Sequence, residues 1–74
     1  MAHPRISVDP AVMVGKPCIK GTRITVELLL RWLAAGRTAA EILEAYPHIV
    51  EADIKAALEY AADRVGSPHP QAAE

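Results

Sequence analysis

The sequence predicts a small α+β, mainly α domain in which a short N-terminal β-element is followed by a three-helix helix-turn-helix bundle. β-prone residues and turn-forming glycines and prolines are concentrated before Val26, and apolar residues recur at helical spacing after it. Start and stop signals divide this second part into three helices. The predicted bounds are 5–25 for the β-element, about 26–35, 38–46 and 51–65 for the helices, 1–66 for the single domain and 67–74 for a flexible tail.

The β-element is predicted from three β-prone segments. Arg5–Val8 alternates polar and apolar residues and ends at the turn-forming pair Asp9-Pro10. Cys18–Ile19 and Ile24–Val26 flank a bend at 20–23, so we expect a hairpin to which the first segment adds. Gly15 and Gly21 can adopt positive φ, and Pro17 has a fixed φ. We therefore expect these three residues to shape the loop.

Three cations, Lys16, Lys20 and Arg23, lie on or beside the predicted bend. Backbone amides of a glycine-rich bend attract anions together with nearby lysine and arginine, so a phosphate-binding loop is one hypothesis. The spacing does not match the nucleotide-binding P-loop, because Gly21 is followed directly by Thr22 and Arg23. That motif requires lysine and then a helix-opening serine or threonine after its second glycine.

Two other interpretations of the bend stay open. In the first, the bend is a structural turn in which the carboxylate of Asp9 or Glu27 holds Arg23. In the second, it contacts the backbone of a nucleic acid or the surface of a partner protein. The binding residues would then be Lys16, Lys20, Thr22, Arg23, Arg31 and Arg37.

The first helix is predicted to carry more apolar surface than one small core can cover. Thr25 is a suitable N-cap, and Gly36 is a suitable stop. The apolar side chains spread over an arc of about 200°, roughly twice the stripe of a helix that faces one core. We expect the excess surface to form a homodimer seam or to bind a partner through Leu28, Leu29, Trp32 and Leu33. The alternative is that the β-element folds over this second face.

Clear signals define the other two helices. Thr38 and Glu41 form a capping box, and Pro47 stops the helix that follows it. The third helix has acidic residues in its first turn, which suit the helix dipole, and it stops at Gly66. Two helices joined by a tight turn make a helix-turn-helix in outline. The outward face of the third helix is mainly acidic, so DNA binding would need cations from the β-element and the first helix.

Composition restricts the kinds of partner. The chain has 74 residues and a formal net charge of −1. At this size a single core is marginal, and oligomerisation often supplies the missing burial. Residues 1–37 carry six cationic and two acidic side chains, a net charge of +4, whereas residues 38–74 carry two and seven, a net charge of −5. An anionic partner is therefore expected to bind the first half.

We predict a cytoplasmic protein that makes no membrane contact. No apolar segment approaches the roughly 20 residues that cross a bilayer, the N-terminus lacks a signal peptide, and one cysteine allows no internal disulfide. Cys18 lies between Pro17 and Ile19 and is expected to be a small buried hydrophobe. The three histidines are widely separated, without zinc-site spacing. We therefore predict no catalytic residue, no metal site and no cofactor.

One specific motif runs from Gly15 to Val26 and reads Gly-Lys-Pro-Cys-Ile-Lys-Gly-Thr-Arg-Ile-Thr-Val. Asp9-Pro10 precedes it, and Leu33–Gly36, Glu41–Leu43 and Tyr46-Pro47 follow it. With these segments the sequence resembles the domain-of-unknown-function 433 (DUF433) family of small bacterial and archaeal proteins, over nearly the whole predicted domain. It departs from the family pattern at Val50, where a serine or threonine commonly caps the third helix, and at Cys18, where a small aliphatic residue is usual.

The resemblance implies a function. Members of the family look like VapB-type antitoxins, often encoded beside a PIN-like ribonuclease, with a helix-turn-helix fold suited to autoregulatory DNA binding. We therefore expect a dimeric binding module, not an enzyme, that neutralises a PIN-like ribonuclease and binds its own promoter DNA. The alternative is a protein-interaction or dimerisation domain without DNA binding, whose basic bend occupies the acidic active site of the nuclease. An enzyme that acts on a phosphorylated substrate is a further alternative, but it lacks an identifiable base or metal site.

Overall fold

A two-stranded antiparallel sheet precedes three helices in the computed structural model, which describes residues 3–66. The strands are β1 (Ile6–Ser7) and β2 (Cys18–Ile19), and Ile6 pairs with Ile19 while Ser7 pairs with Cys18. The helices are α1 (Val26–Ala34), α2 (Ala39–Ala45) and α3 (Glu51–Val65). The predicted fold class, α+β and mainly α with an N-terminal β-element, is confirmed. The predicted tail at 67–74 lies outside the described residues.

The predicted hairpin across the bend forms only as a single bridge, between Cys18 and Thr25. The amide of Ile19 donates to the carbonyl of Ile24 at 2.9 Å, which closes the bend. Pairing stops there because Thr25 is already the N-cap of α1, where its hydroxyl accepts a hydrogen bond from the amide of Leu28 at 3.0 Å. The bend at 20–25 therefore connects the sheet directly to the first helix and is held by hydrogen bonds at both of its ends.

The start of α3 is fixed without a capping side chain at Val50. Instead, one carboxylate oxygen of Asp53 accepts a hydrogen bond from the Val50 amide at 3.0 Å. The other oxygen accepts from the guanidinium of Arg5 at 2.9 Å. Asp53 is 8% exposed, so this single side chain closes the helix start and ties α3 to the residue before β1. Although Val50 supplies no capping side chain, the helix begins at Glu51, as predicted from the sequence.

The core is aliphatic and lies between the three helices and β2. Leu29 is 0% exposed at its centre, so this residue is corrected from a predicted seam residue to a core residue. On the β side, Ile6 and Ile24 pack against the same core. Within residues 3–66 no helix combines the length and apolar content needed to cross a membrane. The buried apolar cluster consists of Ile19, Val26, Leu29, Ile42, Ile49, Ile54 and Ala57.

Candidate binding site

The bend that follows β2 is braced by its own threonine. The hydroxyl of Thr22 donates to the carbonyl of Ile19 at 2.8 Å and accepts from the amide of Ile24 at 3.0 Å. Gly21 precedes it with φ +81°, a conformation that glycine adopts without steric cost. The hydroxyl proton of Thr22 is thus used inside the bend. The residue holds the shape of the loop while its neighbours face solvent.

Two of the six predicted binding residues share one carboxylate. The ammonium of Lys16 lies 3.0 Å from Glu27, and the guanidinium of Arg31 lies 3.1 Å from the other oxygen of the same side chain. The hydrogen bond from Lys16 and then that from Arg31 hold the pKa of the Glu27 carboxyl below its ordinary value of 4.5. Lys16 and Arg31 therefore already have an anionic partner within the chain.

Lys20 and Arg23 differ from this pair. Both are exposed, and neither takes part in a salt bridge within residues 3–66. The hypothesis that Asp9 or Glu27 holds Arg23 is therefore wrong for the described part of the chain. Glu27 is engaged by other cations instead. The bend presents two positive charges that no carboxylate of the described chain compensates.

Arg37 packs on the ring of Trp32, which in turn contacts Tyr46. Its guanidinium carbon lies 4.8 Å from the centroid of the Trp32 ring, in cation–π geometry. The Trp32 ring is tilted by 47° against Tyr46, with centroids 5.4 Å apart. Trp32 is therefore half-buried between residues of its own chain and packs against the core. The other two predicted seam residues, Leu28 and Leu33, are also half-buried.

An open groove of about 610 Å³ runs along the bend. One wall is the bend itself, from Gly21 to Ile24. A second wall is β1 and the loop after it, and a third is the turn between α2 and α3. The residues outside the bend are Ser7, Asp9, Val12, Tyr46 and His48.

Sequence reasoning did not connect these walls. It placed Thr22 and Arg23 in the site but missed the contribution of Ser7, Tyr46 and His48. The walls are far apart in the chain, and no motif spacing links them. The available signal was indirect, because a helix stopped at Pro47 must be followed by a turn whose side chains reach the surface.

The groove carries opposite charges on different walls. Arg23 is its cation, and Asp9 is its carboxylate. One oxygen of Asp9 accepts a hydrogen bond from the Ala11 amide at 2.9 Å, which leaves the second oxygen available. No salt bridge joins Asp9 and Arg23 in the described chain. Each charge can therefore interact with a ligand, and Val12 and Ile24 add apolar surface to the lining.

Cys18 lies at the start of this region, and its surroundings in the structure are those of a buried side chain. Cys18 is 1% exposed, and its thiol donates to the carbonyl of Lys16 at 3.3 Å. Burial raises the pKa of this thiol above 9.0, which opposes formation of the nucleophilic thiolate. Across residues 3–66, no three His, Cys, Asp or Glu side chains lie close enough to hold a metal ion. Cys18 is the small buried residue that its sequence neighbours predict.

A second groove, of about 300 Å³, lies between α1 and α3. It is lined mainly by apolar side chains, with Glu27 and Arg64 among its residues. Val65 at its border is 89% exposed. This groove is a different surface from the predicted seam. Its apolar lining is formed by Pro17, Val26, Leu30, Tyr60, Ala61 and Val65.

Comparison with known proteins gives a family and a related fold. The family model described as "Protein of unknown function (DUF433)" matches residues 6–61. A crystal structure of a DUF433 member protein from Anabaena variabilis ATCC 29413 is similar to the chain, with a TM-score of 0.78 and 32% sequence identity. The match covers 80% of this chain but only 58% of the Anabaena chain. No curated protein matches the sequence.

Proposed function

The chain belongs to the DUF433 family, whose description assigns no function. We propose that it is a protein-binding module and, as the family resemblance implies, the antitoxin of a toxin–antitoxin pair. In this proposal the bend binds an acidic site of a PIN-like ribonuclease. The observation that carries it is the pair Lys20 and Arg23, which are exposed and have no salt bridge within residues 3–66.

The physical route to inhibition is competition for carboxylates. A metal-dependent nuclease holds its cation with acidic side chains, and a guanidinium can pair with the same carboxylates in a bidentate manner. The backbone around Arg23 is braced by two hydrogen bonds of Thr22, so little backbone freedom remains to be lost on binding. An uncompensated cation on a backbone of fixed shape is therefore suited to occupy an acidic site.

The test is recovery of the tagged chain from its native host, followed by mass spectrometry and a ribonuclease assay of the recovered complex. We expect a PIN-like nuclease whose activity is suppressed while the chain is bound. Lys20→Ala should reduce recovery, whereas Lys16→Ala should not, because Lys16 is already paired with Glu27. Recovery without any nuclease would contradict the proposal.

Promoter DNA is a second candidate partner, favoured by the arrangement of α2 and α3, which are joined by residues 46–50. The exposed cations Lys20, Arg23 and Arg37 would contact phosphates, since Glu51, Glu59 and Asp63 are exposed on α3. An operator shift assay at several salt concentrations tests this role. Removal of Lys20 and Arg23 should reduce the salt slope by about 2, roughly one per phosphate contact. An unchanged slope would exclude DNA binding through the bend.

Self-association is the remaining candidate, favoured by the apolar groove between α1 and α3. A second copy of the chain would cover Leu30 and the exposed Val65. Light scattering of the purified chain measures this directly. We expect a dimer that Val65→Glu converts to a monomer. A monomer for the unmodified chain would exclude the homodimer.

A further inference from the structure

The groove beside the bend brings together three walls that no motif connects. The bend supplies Arg23, the loop after β1 supplies Asp9, and the turn between α2 and α3 supplies Tyr46 and His48. Its volume of about 610 Å³ lies within the ordinary range of ligand sites. A flat basic surface would bind an acidic partner through charge alone. A groove can also select a side chain and its flanking backbone.

We infer that this groove binds an extended peptide segment of the partner that carries a single carboxylate side chain. The inference rests on the proposed function, because it identifies the group of the acidic site that Arg23 receives as one carboxylate on an extended segment of the nuclease. The guanidinium of Arg23 receives the carboxylate, and the imidazole of His48 offers a further N–H from the turn between α2 and α3. Backbone amides of the peptide donate to the available oxygen of Asp9.

Charge balance favours a monoanionic peptide over a nucleotide. Arg23 is the cation among the groove-lining residues, and Asp9 places a negative charge in the same groove. A nucleotide phosphate carries about two negative charges, so it would require several donors of positive character and would be repelled by that carboxylate more strongly than a monoanionic side chain. The apolar side chains of Val12 and Ile24 in the lining can contact aliphatic side chains that flank the bound carboxylate.

The test is an NMR titration of the isotopically labelled full chain with acetyl-Val-Asp-Val-amide. The matched probe, acetyl-Val-Asn-Val-amide, has the same shape without the charge. We expect the acidic peptide to shift the resonances of Gly21, Thr22 and His48 with a Kd in the millimolar range, and the neutral peptide to bind at least about fivefold more weakly. No shifts up to about 10 mM, or equal binding of both peptides, would overturn the inference.

Three variants locate the site. Arg23→Ala should weaken binding of the acidic peptide about tenfold, and His48→Ala severalfold, because each removes a donor from a different wall. Arg31→Ala is the control, since its guanidinium is paired with Glu27 and lies outside the groove. All three side chains are exposed, so folding should be retained. An undiminished affinity of His48→Ala would contradict the participation of the second wall and overturn the inference.

Nucleotide binding is tested in the same titration series. Stronger binding of adenosine monophosphate than of the acidic peptide at these resonances would overturn the peptide assignment. Failure of the groove is distinguishable from failure of the proposed function. Peptide binding without a nuclease partner would contradict only the antitoxin proposal. A nuclease complex that depends on Lys20 but not on His48, with no shifts caused by the peptide, would contradict only the inference that the groove binds a peptide.

Discussion

At the scale of single residues, Glu27 determines which cations of the first half stay available to a partner. Its two oxygens engage Lys16 at 3.0 Å and Arg31 at 3.1 Å. These contacts are exposed to solvent, so they contribute little to folding. Their importance is for binding. Lys16 and Arg31 already have a carboxylate partner, whereas Lys20 and Arg23 have none within residues 3–66.

The pH dependence of stability reports the Glu27 ion pairs. Because the pKa of this carboxyl is lowered in the folded state, its contribution is present above the ordinary value of 4.5 and is lost as the pH falls through the lowered pKa. We expect Glu27→Gln to have a lower free energy of unfolding than the unmodified chain at neutral pH. The difference should vanish in urea unfolding curves as the pH approaches about 2. A difference that grows in acid would contradict the assignment.

Asp53 is the residue on which the start of α3 depends. Asp53→Ala removes the acceptor of the Val50 amide and the partner of Arg5, so we expect the free energy of unfolding to fall by about 2 kcal/mol. Glu59→Ala is the matched control, because Glu59 is an exposed acidic residue of the same helix. Urea unfolding measures both. Equal effects of the two substitutions would show that Asp53 does not close the helix.

At the scale of elements, the bend is held by local conformation and not by crowding. Gly21 has φ +81°, and a Cβ added there would meet nothing within 4 Å. Glycine is therefore favoured at position 21 by the positive φ of the backbone and not by a lack of space for a side chain. The hydroxyl of Thr22 then closes the turn. The shape of the bend is built into the sequence Gly21-Thr22, whether or not a partner is bound.

Substitutions of Gly21 test this account of the bend. Gly21→Ala should lower the free energy of unfolding by about 1 kcal/mol, because alanine is strained at positive φ. Gly21→Asn should cost less, since asparagine tolerates this region better. Thermal unfolding followed by circular dichroism compares the two. The reverse order would mean that space, and not conformation, requires glycine at this position.

The helices were predictable from local signals, and the extent of the hairpin was not. Thr25, and Thr38 with Glu41, cap α1 and α2 as their sequence patterns indicate. The sequence also suggested that Ile24–Val26 extends a strand. In the structure Thr25 is the N-cap of α1, so strand pairing is limited to one bridge. Where strand propensity and a helix cap compete for one residue, local patterns do not decide the outcome.

At the scale of the whole molecule, one small aliphatic core supports all three walls of the groove. Leu29 is 0% exposed at its centre and contributes to packing from α1. The apolar arc of α1 is largely covered within the chain, since Leu30, Trp32 and Leu33 pack against this core. Which leucine faces the core could not be deduced, because it depends on how α3 and the β-element are placed. The same long-range packing brings Tyr46 and His48 to the bend, so sequence reasoning missed them.

The core is tested by a pair of leucine substitutions. Leu29→Ala should lower the free energy of unfolding by about 3 kcal/mol, since a fully buried leucine is replaced by a cavity. In a chain this small, that loss is a large part of the total stability. Leu58→Ala is the control, because Leu58 is 44% exposed and should cost less than about 1 kcal/mol. Similar losses in chemical unfolding would contradict the position of the core.

The most direct test of the central claim compares Arg23→Ala with Arg31→Ala in quantitative pull-down from the native host. Both substitutions remove an exposed arginine, but only Arg31 has a carboxylate partner within residues 3–66. We expect the Arg31 variant to recover as much PIN-like nuclease as the unmodified chain and the Arg23 variant to recover about tenfold less. Equal recovery by the two variants would contradict the claim that the uncompensated cation of the bend binds the partner.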